Sequence, residues 1–439
     1  MTNETDVSEA SAGSGVPGTT GAVRKRLGLL LDRTFFLLWF GETTSAVGNS
    51  VAVATMPLIA VVTLQSSTFQ VAALAAASWV PWLVVGLPAG VWVDQLPRRA
   101  VMVACNFVSV VAFASAPLAW WFGVLSYTWL VIAAVVAGTA SVFFNTAYRV
   151  YLPEIIGKEH LIEANAKLQG SESAADIVGP TVAGVLAQWV GAVVGLLFNA
   201  VTFLVSTVCL LRSRRSAPRL RPAADRLPIR RQILVGLRFV ASDPYLRPIV
   251  FYCALANLAI DGYEAIRVVF LVRTLDASPV VVGLALAAIS IGGILGALAA
   301  QPISRRFGTG RGLFIWQLCA GPAALLVPLA APGPGILLFI AGSLVMLVSV
   351  VSGNIILSSF RQTYCPADLQ GKVVSTMLVI NYSTIPVGAL LGGALATVIG
   401  PRATLFCMAA LFMLSGLTLV PGPMRRQRDL PKEPRVNVG

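Results

Sequence analysis

The sequence predicts an all-α membrane protein with twelve transmembrane helices arranged as two pseudo-symmetric six-helix bundles. Composition is the first reason: 56% of the 439 residues are hydrophobic and 12% are charged, whereas soluble domains carry about 25% charged residues. A mean hydropathy of +0.81 agrees with this. Long apolar runs that recur along the chain, and a basic stretch that divides them into equal halves, are the second and third reasons.

The predicted spans are apolar runs of about 20 residues, the length that a helix needs to cross a bilayer. Those of the first half are 35–63, 70–92, 100–122, 127–148, 166–190 and 192–211. Those of the second half are 248–272, 279–302, 312–331, 335–359, 371–399 and 402–421.

Five ranges follow from this division of the chain. They are a disordered cytoplasmic tail (1–30), a six-helix bundle (31–211), a basic cytoplasmic linker (212–246), a second six-helix bundle (247–421) and a cytoplasmic C-terminal tail (422–439). The first tail is rich in Ser, Gly and Thr and cannot bury a core. Within the linker, Ile229 to Val240 fits either a helix on the membrane surface or a solvated connector.

The basic residues predict the orientation of the chain. Of the 32 Lys and Arg residues, all but Arg267, Arg273 and Arg402 lie on the side of the predicted spans that carries the termini. The positive-inside rule therefore places both termini in the cytoplasm and the spans in the cell (inner) membrane. The net charge of +13 is then a signal for topology and for lipid headgroups, and we expect no nucleic-acid partner.

Two stretches repeat a pattern of Arg, Pro, an acid and Gly-Lys. "YRVYLPEIIGKEHL" (Tyr148 to Leu161) follows the fourth span, and "FRQTYCPADLQGKVV" (Phe360 to Val374) follows the tenth. Internal repeats are common in secondary transporters, whose substrate site lies near the midplane where the repeats meet. Chance similarity between two cytoplasmic loops is the alternative.

The fifth span carries a narrow polar stripe. At 100° per residue, Asn165, Gln169, Glu172 and Asp176 fall within an arc of about 60°. Polar side chains in membrane helices usually face the bundle interior or a water-filled cavity, so Glu172 and Asp176 are expected to line a path. Asn165 and Gln169 are also explained by contact with water at the cytoplasmic end.

Charged residues in the first and seventh spans are further candidates for substrate or proton coupling. Glu42 lies inside the first span, where it either exchanges protons or bonds to a neighbouring helix. Asp261, Glu264 and Arg267 share an arc of about 120°, and the last two are spaced to pair. We expect the two acids to bind substrate or protons and Arg267 to hold them, unless the triad only fixes helix packing.

Aromatic side chains are candidates for lining a pocket, although aromatic residues at helix ends also serve as membrane-interface anchors. These candidates are Trp79, Trp82, Phe143, Phe144, Tyr263 and Tyr382.

The loop after the second span, "GLPAGVWVDQLPRRA", resembles the signature loop of the major facilitator superfamily, which reads Gly, three residues, Asp-Arg and then a basic pair. Gly90, Asp94, Arg98 and Arg99 match, while Gln95 stands in place of the usual Arg. The resemblance implies that these residues gate the cytoplasmic side. The equivalent loop of the second half, "ISRRFGTGR", has Ser304 where an acid would help.

Other stretches are similar to the branch of this family that contains enterobactin-exporter-like and macrolide-efflux-like proteins. They are "LLDRTFFLLWFGETTSAVGNSVA", "LPEIIGKEHLIEANA", "VGPTVAG" and "GLRFVASDPYLRPIV", and the likeness covers about Leu31 to Val420. Drug and proton antiporters of the family carry Gly-Pro, two residues and Gly-Gly. Here Gly179, Pro180 and Gly184 match and Ala183 replaces one Gly. Proline bends a helix and glycine permits close packing, so we expect a kink at a helix contact, which serves either as a gate or only as structure.

Other chemistry finds no support in the sequence. No Gly-Lys-Ser or Gly-Lys-Thr phosphate loop occurs, and the single histidine, His160, has no zinc-ligand or triad pattern around it. We therefore expect no enzyme, cofactor or metal site. The expected protein is a monomeric secondary transporter that exports a small amphipathic compound, such as a drug, siderophore or secondary metabolite, in exchange for protons. An importer of the same fold and a transporter-like sensor or scaffold are the alternatives.

Overall fold

A computed structural model describes residues 28–156, 160–213, 237–365, 367–419 and 428–431. These ranges are helical and contain no strand. Of the predicted surface helix from Ile229 to Val240, residues 229–236 lie outside the described residues, and a short helix covers 237–242.

Each predicted span overlaps a helix, and the second span overlaps two. The first half contains α1 (Arg33–Leu58), α2 (Thr68–Val84), α3 (Gly86–Asp94), α4 (Arg98–Trp121), α5 (Tyr127–Ile156), α6 (Leu161–Trp189) and α7 (Val194–Arg212). The second half contains α8 (Leu246–Val269), α9 (Pro279–Phe307), α10 (Thr309–Leu326), α11 (Ile336–Tyr364), α12 (Ala367–Val398) and α13 (Pro401–Ser415). The predicted fold class, an all-α membrane protein, is confirmed.

Within the described residues, seven helical stretches are long and apolar enough to cross a membrane by themselves. They contain α1, α4, α5, α7, α9, α11 and α13. Helices α6 and α8, which carry most of the charged candidate residues, are not among the seven. Polar side chains in these two helices therefore require partners inside the protein.

Equivalent aspartates start the first helix of each half. Asp32 accepts hydrogen bonds from two backbone N–H groups at the start of α1, at 2.8 and 2.9 Å. Asp243 does the same at the start of α8, at 2.9 and 2.8 Å. A side chain that satisfies these otherwise unpaired donors fixes the residue at which a helix begins.

One sequence prediction, that residues 148–161 form a loop, is wrong over its first part. Helix α5 continues through this segment to Ile156 and includes Pro153. The apolar side chains of Tyr151 and Leu152 are buried in a cluster with Phe35. This burial keeps the segment helical although it contains a proline. A sequence pattern alone predicts that a proline ends the helix, because the pattern does not include the stabilisation that tertiary packing provides.

The helix contacts of the two halves correspond. In the first half, α1 packs against α6 and α7, α4 against α5 and α7, and α2 against α5. In the second half, α8 packs against α12 and α13, α10 against α11 and α13, and α9 against α11. The halves meet mainly where α6 contacts α9 and where α2 contacts α12. The exact domain boundaries given above remain predictions.

A second repeat appears at the turns that follow α1 and α8. Each helix ends in a π-helical segment, Ile59–Thr63 and Phe270–Thr274. The residues that turn the chain, Gln65 and Asp276, both have φ of 49°. Because the segments "TLQSS" and "TLDAS" align, each residue of α1 from Phe35 onwards and each residue of α2 has a counterpart in α8 or α9.

These turns define the two ends of the molecule. The distal end carries the turns after α1, α4, α6, α8, α10 and α12, and the proximal end carries the start of α1, the end of α13 and the turn between α9 and α10.

At the proximal end, the C-terminal segment 428–431 packs on the turn between α9 and α10. Asp429 Oδ1 accepts the N–H of Thr309 at 3.0 Å, and the N–H of Leu430 donates to Thr309 Oγ1 at 2.8 Å. Leu430 is buried. Ser304 lies in α9, and Asp429 therefore supplies an acid at the turn that follows this helix.

Candidate functional site

A cavity of about 250 Å³ lies between the two halves. Helices α1 and α6 of the first half and α8, α9 and α11 of the second half enclose it. Most of its lining is apolar, and its polar lining residues are Ser50, Asp176, Tyr263, Glu264, Arg267, Ser290 and Ser343. Three of the charged residues predicted for the site, Asp176, Glu264 and Arg267, thus come together from opposite halves.

On the α8 side of the cavity, Glu264 and Arg267 form the ion pair that their spacing predicts. Arg267 Nη1 lies 2.7 Å from Glu264 Oε1 and 2.6 Å from Oε2. The Glu264 side chain is 40% exposed, so its carboxylate remains accessible to a ligand although it is paired with Arg267. Nearby, the hydroxyl groups of Tyr263 and Ser343 are hydrogen-bonded at 2.6 Å.

On the α6 side, Asp176 Oδ1 accepts a hydrogen bond from Ser50 Oγ of α1 at 2.8 Å. One turn earlier, Glu172 accepts from Gln169 Nε2 at 3.2 Å. Both acids are exposed; Asp176 lines the cavity, whereas Glu172 lies outside its lining. Neither Glu172 nor Asp176 has an ion-pair partner among the described residues.

Glu42 lies on α1 outside the lining of the cavity. Its carboxyl group lies close enough to that of Glu172 for their charges to interact, and both lie near Tyr148. One Glu42 oxygen is buried without a hydrogen-bond partner in the described part of the chain. Glu42, Glu172 and Asp176 therefore form a series of acids that leads to the cavity from the first half.

Asp261 also lies outside the cavity lining, at the contact between α8 and α12. A Cβ atom on Gly388 would lie 2.8 Å from Asp261 Cβ, so the two helices touch at this point. One Asp261 oxygen is buried, and no described residue bonds to it. In the aligned repeat, Ser50 is the counterpart of Asp261, and Ser50 packs in the same way against Gly179 of α6.

Ser50 is one of the polar site residues that sequence reasoning missed, and the others are Ser290 and Ser343. Ser50 is a small polar residue in an apolar helix, which by itself carries no functional signal. Alignment of the two "TL" turns would have found it, because this alignment places Ser50 opposite Asp261.

Three aromatic candidates stack at the contact between the halves. The Tyr382 ring of α12 lies 6.2 Å from the ring of Trp79 and 5.1 Å from that of Trp82, both on α2. By contrast, Phe143 and Phe144 stack on Trp92 and Tyr148 within the first half. Tyr263 alone of the aromatic candidates lines the cavity.

Two residues of the predicted gating loop make contacts within the first half. Arg98 is buried and forms an ion pair with Glu154 of α5. Arg99 donates to the carbonyl groups of two residues at the end of α7, at 2.9 and 2.6 Å. Gly90 and Asp94 are part of α3, but their side-chain environment lies outside the described residues. The gating role of all four residues stays a prediction.

The Gly-Pro motif lies where α6 crosses α1 and α9. Helix α6 continues unbroken through Pro180. Gly179 contacts Ser50, and a Cβ atom on Gly184 would lie 3.0 Å from Gly283 Cα. The motif thus marks a close helix contact between the halves.

The sequence of the chain is similar to those of known efflux proteins. The chain is 30% identical to the multidrug efflux pump Tap of Mycolicibacterium fortuitum over 91% of its own length and 98% of that of Tap. It is 25% identical to the enterobactin exporter EntS of Salmonella typhi, over 65% of this chain and 68% of EntS.

Among solved structures, the nucleoside transporter NupG has a TM-score of 0.75 at 12% identity, with 90% of this chain and 99% of NupG covered. The profile of the Major Facilitator Superfamily matches residues 38–388. The resemblance inferred from the sequence motifs is therefore confirmed, and the chain belongs to the Major Facilitator Superfamily of transporters.

Proposed function

We propose that this transporter exports small amphipathic compounds by alternating access, in exchange for protons. The observation that carries the proposal is the cavity between the halves, with Asp176 on one wall and the Glu264–Arg267 pair on the other. Because its walls belong to different halves, a rocking motion of the halves would change the cavity and its access. A mostly apolar lining with a few polar groups suits an amphipathic small molecule.

The direction of transport is supported by relatives named as efflux pumps and exporters. The basic residues support an orientation with both termini in the cytoplasm of the cell that holds the protein in its inner membrane. We infer that the two six-helix bundles, 31–211 and 247–421, move as the two units.

Proton coupling is supported by the acids around the cavity. Five carboxylates, those of Glu42, Glu172, Asp176, Asp261 and Glu264, lie on the three helices α1, α6 and α8. Intramembrane acids of this kind form proton relays in transporters. Arg267 pairs with Glu264, which leaves the other acids free to take part.

Inside-out vesicles would test the proposal with a fluorescent amphipathic dye. We expect dye uptake that requires an acidic vesicle interior and stops when a protonophore removes the pH gradient. Uptake in right-side-out vesicles only would support an importer, and dye binding without flux would support a sensor or scaffold.

Two neutral variants, Asp261→Asn and Glu264→Gln, should lose the dependence of uptake on the pH gradient or bind dye more weakly. Asp276→Asn is the matched control, because Asp276 is an exposed acid of the same half, outside the cavity. Its φ of 49° is one that Asn tolerates. Normal coupling and affinity in both test variants would show that these charges are structural.

A further inference from the structure

Three arginines lie outside the predicted cytoplasmic side of the spans, and each has a defined hydrogen-bond or ion-pair partner. Arg267 pairs with Glu264 in the cavity. At the distal end, Arg402 Nη2 donates to the carbonyl group of Ala330 at 2.9 Å. Arg273 Nη2 donates to the carbonyl group of Ser66 at 2.5 Å. Only the last of these three contacts joins the two halves.

We propose that Arg273 is a gating residue that holds the distal end closed by binding the Ser66 carbonyl group across the two halves. The proposal does not depend on the direction, coupling or substrate of transport. It concerns the equilibrium between conformations that open at one end or the other.

The geometry of the acceptor supports this role. Ser66 lies in the turn between α1 and α2, where Gln65 adopts its left-handed conformation. The N–H of Ser66 is used within the turn, by the carbonyl group of Ala60 at 2.8 Å. The first hydrogen bond of α2 is accepted by the carbonyl group of the next residue, Ser67. The Ser66 carbonyl group is therefore not used by the helix and is available to a donor from outside the first half.

The repeat shows that the contact is not a requirement of the turn itself. Two backbone hydrogen bonds close this turn, donated by Leu64 and Ser66, and the counterpart turn of the second half has the same two, donated by Leu275 at 3.1 Å and by Ala277 at 2.9 Å. There the counterpart of Ser66 is Ala277, and the counterpart of Arg273 is Val62, whose side chain has no hydrogen-bond donor. One turn thus keeps its shape without an arginine, so the guanidinium serves the contact between the halves.

The contact lies at the end where the halves also touch through small residues. Gly184 of α6 meets Gly283 of α9, and Gly393 of α12 meets Ala72 of α2. Each of these lies within two turns of the distal end of its helix. Small residues let helices approach and separate without large side chains that interlock, and a hydrogen bond to a charged group then adds directional stability.

Distance measurements between spin labels test the proposal in the full chain reconstituted in lipid. The six cysteines are unpaired and would be replaced first. Labels at Trp189 and Val398, each 81% exposed, report on the distal end across the halves. Labels at Leu96 and Phe307 report on the proximal end.

Arg273→Ala should shift the distal pair towards longer distances and the proximal pair towards shorter ones, with roughly a tenfold change in the ratio of conformations. Arg273→Lys keeps a charged donor with a different geometry and should give a smaller shift. Arg402→Ala is the matched control, since it removes a guanidinium–carbonyl bond at the same end but within one half.

A distance distribution in Arg273→Ala equal to that of the unmodified protein would overturn the proposal. An equal shift in Arg402→Ala would do so as well, because the effect would then follow from general loss of stability at the distal end. If Arg273→Ala does not insert, Arg273→Lys decides alone: an unchanged distribution counts against the proposal and a partial shift supports it.

Discussion

Individual charged residues in this transporter are explained by the partners that the fold gives them. Three charges in α8 are costly if they face lipid, at about 2.5–3.5 kcal/mol each on insertion scales. The structure places Glu264 and Arg267 on the cavity between the halves and pairs them. Asp261 lies on the contact with α12 instead. The charges therefore divide into a pair that faces the cavity and an acid at a helix crossing.

This pairing predicts how single and double variants behave. Arg267→Gln leaves the Glu264 carboxylate without its counter-ion, so we expect a loss of stability of about 1 kcal/mol, moderated by the partial exposure of Glu264. The double variant Glu264→Gln with Arg267→Gln removes both charges and should recover most of that loss. Thermal unfolding in detergent measures both. A double variant less stable than Arg267→Gln would contradict the prediction.

At the scale of helices, contact between α6 and α9 depends on glycine. A Cβ atom on Gly283 would lie 2.9 Å from Gly184 Cα and closer still to the Pro180 carbonyl oxygen. Because the obstacles are backbone atoms, they cannot move aside as a flexible side chain would. The distal end can therefore close only if both positions lack a side chain.

Gly283→Val should keep the halves apart at the distal end and lower transport roughly tenfold, the scale of a moderate overpacking cost. Gly293→Val on the same helix is the control, since a Cβ atom there meets nothing within 4 Å. Transport rates and the amount of inserted protein would be measured together. Equal transport by the two variants would rule out the role of this glycine contact.

The C-terminal segment stabilises the start of α10. Asp429→Ala removes a side-chain acceptor from the Thr309 N–H and should lower stability by about 1 kcal/mol, as for loss of other helix caps. Arg428→Ala is the control, because Arg428 contributes its backbone carbonyl group, at 3.1 and 3.3 Å from its two donors. Thermal unfolding should separate the two variants, and equal melting temperatures would count against the cap.

At the scale of the whole molecule, the two halves share one plan and differ at selected positions. Ser50 and Asp261 occupy equivalent helix crossings, yet one is a neutral hydroxyl group and the other an acid. Val62 and Arg273 are likewise equivalent, and only the arginine reaches the other half. Such differences give each half its own chemistry while the common packing preserves the fold.

The predicted cytoplasmic gate belongs to this scale, because it concerns contact between the halves. We expect Asp94→Ala to lower transport while it leaves insertion into the membrane intact, since the carboxylate is expected to stabilise the closed cytoplasmic side. Gln95→Ala, at the adjacent exposed position, controls for loss of loop polarity. Dye transport normalised to inserted protein is the measurement, and an unchanged rate in Asp94→Ala would exclude the role.

The sequence by itself determined the fold class, the approximate places of the helices and the family. These follow from the length of apolar runs and from motifs such as Gly179–Pro180, because a bilayer imposes the same length and hydrophobicity on every span. Helical periodicity also placed Asp176, Glu264 and Arg267 on inward faces. Local spacing was enough to predict the Glu264–Arg267 pair.

Only the tertiary structure decided which of these residues meet. Asp176 and Glu264 belong to different halves, and no local pattern encodes their common cavity. The helical end of α5 around Tyr151, the Asp429 cap and the Arg273–Ser66 contact were likewise beyond the sequence. Each depends on burial or hydrogen bonding between segments far apart in the chain, and periodicity describes the face of a helix without naming the helix that will cover it.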